Sequence, residues 1–278
     1  MTNLAVTGST GQLGGQVARL VADVRPRLIV RDPSRAPELE GSTVVQASYD
    51  DLEASISALQ GVDVLLMVSA AESRTRREVH RTFIRAAAEA RVGHIVYTSF
   101  ASPAPDATFT LGRDHFDAEE AIRETGMTFT FLRDSLYLDF IPVFASTDGV
   151  IRGPAGDGRF AAVARADVAE VAASVLRSPA DHAGATYELT GPEALTMAEA
   201  AARASAVLGR PLRFEDETEQ AAYAWRREEY GAEDWQLDAW VSTYTAIRDG
   251  ELAHVSDDVR RVTGHTPRSL EDVLTPRW

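Results

Sequence analysis

Asn3-Leu-Ala-Val-Thr-Gly8-Ser-Thr-Gly11-Gln-Leu-Gly14-Gly-Gln-Val17 is an apolar strand pattern that runs into a glycine-punctuated turn and then an amphipathic helix. The three glycines have separate uses. Gly8 turns the chain off the strand, Gly11 leaves room for a ligand against bare backbone, and Gly14 lets helix and strand pack closely. The helix would aim free N–H groups, equivalent to about half a positive charge, at an anion. With Ser9, Thr10, Gln12 and Leu13 between the glycines, the stretch reads as a cradle for a dinucleotide pyrophosphate. Cofactor choice falls at the tip of the second strand, where an acidic residue would hold a ribose 2′-hydroxyl and an arginine a 2′-phosphate. That tip is Val30-Arg31-Asp32-Pro33-Ser34-Arg35. Arg31 and Arg35 offer fork-like donors to a dianion, which predicts NADP(H); the alternative is that Asp32 takes the ribose. After the fourth strand, Ser69-Ala70-Ala71 supplies small residues where backbone can run beside the nicotinamide ribose.

Composition excludes several chemistries. All 28 basic residues are arginine, so a Walker A lysine, a Schiff base and a Tyr-x-x-x-Lys pair are impossible, and none of the 7 tyrosines has a lysine partner. Cysteine is absent, which removes disulfides, thiolate nucleophiles and cysteine-ligated zinc. The 6 histidines show no metal-ligand spacing and are expected mostly at surface or capping positions, so no metal is expected. A net charge of −14 opposes nucleic-acid binding. Arg74, Arg76 and Arg77 form a basic cluster at a helix start, where a solvated face is expected. No apolar run approaches the roughly 20 residues of a membrane span, nor is there a signal-peptide pattern, so a cytoplasmic protein is expected.

The elements that position these residues alternate. Strands are expected at 3–7, 27–31, 42–46, 62–68, 93–98 and 128–133, with helices at 12–22, 51–59, 73–91 and 113–125 between them. Later come a strand near 185–189, helices near 167–177 and 196–208, and a helix-rich tail from 218 carrying Trp225, Tyr230, Trp235, Trp240 and Tyr244. Gly153, Pro154, Gly156 and Gly158 mark a loop before a lobe. The alternation predicts an α/β fold: a Rossmann-type doubly wound parallel sheet with a smaller C-terminal α/β substrate lobe. Residues 1–150 are expected to form the NADP(H)-binding domain and 151–278 mostly the lobe, interleaved with the sheet.

Several motifs together resemble the NmrA-like atypical branch of the short-chain dehydrogenases/reductases. They are Val6-Thr-Gly-Ser-Thr-Gly-Gln-Leu-Gly-Gly, Val30-Arg-Asp-Pro-Ser-Arg-Ala, Tyr97-Thr-Ser, Leu132-Arg-Asp-Ser-Leu-Tyr137, Ala164-Arg-Ala-Asp167 and Gly264-His-Thr-Pro. Within that branch the chain is similar to type 2 NADPH:quinone oxidoreductases and triphenylmethane dye reductases. The resemblance implies that Gly8 to Leu13, Arg31, Ser69 to Ala71, Leu136 to Ile141 and Arg165 line NADPH. The pattern departs at Ser48-Tyr49-Asp50, where an acidic residue is expected in place of Ser48, and at Phe100 to Thr110.

Without Tyr-x-x-x-Lys, hydride transfer needs an acceptor that is already electrophilic, with proximity and nearby donors carrying the rate. Donor candidates are Ser99 at the end of the fifth strand, His115 one helical turn from Glu119, and Tyr137. The expected function is an NADPH-dependent reductase of a quinone-like or other conjugated small molecule, with at most a second copy of the chain as a homodimer partner. Two alternatives are open: an NADP(H)-sensing regulator, and a biosynthetic reductase acting on an aromatic polyketide or imine.

Overall fold

The computed structural model describes residues 2–275. In chain order the elements are β1 (Leu4–Thr7), α1 (Gln12–Leu20), β2 (Arg27–Val30), β3 (Thr43–Gln46), α2 (Leu52–Leu59), β4 (Val64–Met67), α3 (Arg76–Glu89), β5 (His94–Phe100), α4 (Thr110–Glu124) and β6 (Thr128–Asp134). There follow β7 (Val150–Gly153), β8 (Arg159–Phe160), α5 (Arg165–Arg177), β9 (Thr186–Leu189), β10 (Leu195–Thr196), α6 (Met197–Leu208), β11 (Arg213–Asp216), α7 (Glu219–Tyr230), α8 (Asp234–Arg248), α9 (Asp258–Thr263) and α10 (Leu270–Leu274).

Seven strands form one sheet in the order β3-β2-β1-β4-β5-β6-β9. The pairs β1–β2, β1–β4, β2–β3 and β4–β5 are parallel. A parallel sheet is covered on both faces, so its inner strands read as continuous apolar runs. β1, β4 and β5 are buried along their whole length, whereas edge strand β3 is largely exposed. The strand order reverses between β1 and β4, and a crevice opens at the carboxyl ends of strands at such a point.

The chain divides into two compact units, and neither is one continuous stretch. Among the described residues the first contains 2–100, 114–133 and 168–187, and the second 101–113, 134–167 and 188–275. In the first unit the core gathers Leu59, Leu65, Met67, Phe83, Ile84, Ile95, Tyr97, Ile122 and Phe131. α1 is amphipathic, burying Leu13, Val17 and Ala18.

In the second unit β7 pairs in parallel with β11, and β8 antiparallel with β10. These strands fall outside the sequence reading, which placed a glycine-rich loop at 153–158 and no strand at 150–153, 159–160, 195–196 or 213–216. Gly153 sits so close to the ring of buried Tyr244 that a Cβ would lie 2.2 Å from its Cδ1. Trp225, Tyr230 and Trp240 contact one another in series, with ring centroids 5.9 and 5.7 Å apart. Among the described residues, no helix is long and apolar enough to cross a membrane.

Candidate functional site

At the sheet's reversal point the first unit holds a cavity of about 470 Å³. Gly8, Thr10 and Gly11 line one part, Arg31 and Ser48 to Asp50 a second, and Ser69 to Ala71 a third. Gly8 has φ +65°, a conformation that favours glycine, and Gly11 N–H donates to Gly8 O at 2.9 Å. A Cβ on Gly14 would lie 2.4 Å from Gly8 O, inside any permitted contact, so this glycine sets the approach of helix to strand. A Cβ on Gly11 would meet only Gly8 O, at 3.2 Å. α1 has no side-chain cap and no acidic residue in its first turn, leaving its leading N–H groups for an anion. Ser9 turns inward and is 3% exposed, so it and Leu13, also buried, can offer a ligand only backbone; Gln12 is exposed.

Asp32 accepts from both the backbone N–H and the hydroxyl of Ser34, at 3.0 and 2.7 Å, and the Ser34 hydroxyl holds its carboxyl below the usual range. It caps a short turn. Arg31 lines the cavity, and Arg35 does not. Asp50 supplies an acidic group two residues after Ser48, its carboxyl held low by the Ser48 hydroxyl.

The connection after β4 is irregular, and side chains from distant parts of the chain satisfy its backbone. Val68 N–H donates to Thr7 Oγ1 (3.0 Å), the Tyr49 hydroxyl donates to Val68 O (2.8 Å), and Ser69 N–H donates to Thr98 Oγ1 (2.8 Å). Ala70 N–H donates to His80 Nε2 (2.9 Å), and Arg76 Nε donates to Ala70 O (2.9 Å). Tyr49 stacks on Phe83 at 4.0 Å, and burial pushes its phenol upward. None of these five side chains was singled out from sequence for this role. The signal available was that Arg76 and His80 fall on the same helical stripe as Phe83 and Ala87.

Arg76 is therefore not part of a solvated face: it is 4% exposed and its Nη2 lies 3.0 Å from His115 Nε2. His80, His94 and His115 are buried as well, against the surface positions expected for most histidines. Burial, reinforced by the Arg76 charge, lowers His80 to about 3 and His115 well below the ordinary imidazole value. A guanidinium can only donate, so His115 Nε2 accepts and its Nδ1–H donates to the Tyr97 hydroxyl at 3.0 Å.

The pairing of His115 with Glu119 that helical spacing suggested does not form. Glu119, fully buried, instead accepts from Ser99 Oγ (2.7 Å), from Arg133 through Nε and Nη2 (2.8 and 2.7 Å) and from Arg123 (3.1 Å). A buried carboxylate needs such cationic partners, and two arginines supply them where a neutral imidazole would not. Ser99 is itself fully buried.

In the second unit the Tyr137 hydroxyl donates to the Asp134 carboxylate, and burial followed by the Asp134 charge raises the phenol well above its ordinary value. The Arg165 guanidinium stacks over the rings of Tyr137 and Phe140, 5.1 and 4.9 Å from their centroids, and reaches Asp139 at 3.3 Å.

A doubly wound sheet with a glycine turn after its first strand and a cavity at its reversal point defines a dinucleotide-binding Rossmann unit. The chain belongs to the NAD(P)H-binding family, whose model matches residues 8–179. It is 34% identical to quinone oxidoreductase 2 of Escherichia coli, over 98% of this chain and 97% of that one. It is 36% identical to (4-alkanoyl-5-oxo-2,5-dihydrofuran-3-yl)methyl phosphate reductase of Streptomyces griseus, over 97% and 95%. The crystal structure of an E. coli NADPH-dependent quinone oxidoreductase complexed with NADPH matches with a TM-score of 0.88 and 33% identity, covering 98% of both chains. The protein is an NAD(P)H-dependent oxidoreductase.

Proposed function

We propose that this enzyme reduces a quinone-like or otherwise conjugated small molecule with hydride from NADPH. The observation that carries the reading is the state of the three candidate donors. Ser99 is buried against Glu119, His115 is a buried neutral acceptor, and Tyr137 points its proton at Asp134. An acceptor reduced without a ready general acid must stabilise incoming charge itself, as a conjugated carbonyl system does.

The cavity fits the dinucleotide: the space beside Gly11, the uncapped start of α1 and a cationic second-strand tip match pyrophosphate and a 2′-phosphate. Gly8 to Leu13 would hold the pyrophosphate, largely by backbone N–H, and Arg31 the 2′-phosphate. Among the described residues Arg31 makes no side-chain hydrogen bond or ion pair, which leaves its fork free. Ser69 to Ala71 would lie along the nicotinamide ribose. When bound, the nicotinamide supplies the hydride; the chain's part is to bind and orient.

The S. griseus relative's name supports a second acceptor class, since its 5-oxo-2,5-dihydrofuran ring conjugates a C=C bond with a carbonyl. Steady-state kinetics with NADPH and NADH against a quinone, a butenolide and an unactivated ketone tests the reading. Turnover of a conjugated acceptor with NADPH, and little of the ketone, is expected. Efficient ketone reduction that collapses in His115→Ala would overturn it.

A further inference from the structure

We infer that Arg76, His80 and His115 form a buried brace that sets the course of the Ser69–Ala71 backbone and thereby the affinity of the crevice for the nicotinamide half of the dinucleotide. The inference rests on the cofactor reading above and assigns these three as positioning residues rather than proton donors.

The Ala70 residue is gripped on both its polar groups from one face of α3. His80 accepts from its N–H and Arg76 donates to its carbonyl, each at 2.9 Å, and the two residues are one turn apart. Arg76 is fixed in turn by His115, which is fixed by Tyr97, and an Asp114 carboxylate lies 3.5 Å from Nη1. Apart from Asp114, every member is at most 6% exposed.

The chemistry of the two imidazoles suits this task. With Nε2 accepting, neutral His80 carries its proton on Nδ1, which is buried without a partner. Such an orphaned donor is uncommon in a folded core. Its retention points to the value of the opposite nitrogen, which delivers an acceptor to the loop. Burial beside Arg76 keeps both rings unprotonated.

Brace and cavity meet in the loop itself. Ser69, Ala70 and Ala71 line the cavity with small side chains, so what they present there is chiefly backbone, and backbone position is what the brace determines. The glycine turn lines the same cavity.

The test uses the full chain and NADPH as probe, with calorimetric Kd, KM, kcat and Tm measured for four proteins: the parent, His80→Leu, His80→Gln and Thr98→Val. Leucine removes the acceptor for Ala70 N–H, glutamine keeps one, and valine removes the Ser69 acceptor at constant shape. His80→Leu is expected to raise Kd and KM for NADPH about tenfold or more, with Thr98→Val raising them about threefold to tenfold and acceptor KM little changed. His80→Gln should return within about threefold of the parent. A purely structural role would lower Tm and the active fraction while leaving NADPH Kd and KM at parent values; that result in His80→Leu overturns the brace, and in Thr98→Val, which loosens the same loop at Ser69, it overturns the premise that loop position sets NADPH affinity, on which the brace depends. A parent that fails to bind NADPH overturns the cofactor reading itself.

Discussion

Two of the segments that line the cavity achieve rigidity by opposite means. The turn from Gly8 to Gly14 is shaped by missing side chains: Gly8 adopts φ +65°, and the bare Cα of Gly14 lies against Gly8 backbone. The connection from Val68 to Ala70 is shaped by side chains that other parts of the chain contribute: Thr7, Tyr49, Arg76, His80 and Thr98 hold its backbone atoms. A glycine turn is self-contained and, at Gly14, tolerates no added volume. A braced loop depends instead on the protonation and acceptor chemistry of its neighbours.

The sharpest break in that contrast is steric. Gly14→Val pushes a side chain into Gly8 and Thr7 backbone, so a cost of at least about 3 kcal/mol is expected, with loss of folding or of dinucleotide binding. Gly11→Val should instead leave the fold intact while dinucleotide affinity falls at least about a hundredfold, roughly 2.7 kcal/mol. Thermal melts paired with calorimetry separate the two. A well-folded Gly14→Val protein with parent affinity would show that the turn is looser than its geometry implies.

Arg31→Ala should cost about 1.5–3 kcal/mol of NADPH affinity, tenfold to over a hundredfold, and spare NADH. Equal affinity of the unmutated protein for both nucleotides would remove Arg31 as the discriminator. Arg35→Ala, outside the cavity, should change either affinity less than about twofold.

The braced loop alone adds a pH term. His80 titrates near 6.5 when unfolded and is lowered to about 3 in the fold, and His115 is lowered too, so below pH 6.5 the unfolded chain takes up protons that the native one does not. Their contribution to stability is complete above that pH and is lost as pH falls, by up to about 1.4 kcal/mol per pH unit for each ring. Urea melts from pH 7 to 5 should show a shallower loss in His80→Gln than in the parent. Parallel curves would mean that His80 accepts a proton without disturbing the fold.

The same contrast explains what was legible in the sequence. Glycine spacing is local, so the turn, the α1 start and the alternation through β6 could be read directly. The contacts that hold the braced loop draw on residues 7, 49, 76, 80, 98 and 115, and no window contains them all. Arg76 looked like a surface cation because helix starts favour solvated charge, and only α4, bringing Asp114 and His115, makes its burial tolerable. Glu119 was matched to its neighbour in sequence, while the fold offered Arg133 from β6. β8 and β10 are two residues each, and β7 pairs with β11 across some sixty residues, too short or too distant for periodicity to register.

The first compact unit takes its last segment from residues 168–187, after the chain has left it twice. On a ribosome adding about 5–20 residues per second, the glycine turn and its partner loop are made early, yet the edge next to β6 stays open until β9 emerges. Nascent chains would thus carry the unpaired edge of β6 for several seconds, until β9 (Thr186–Leu189) is made.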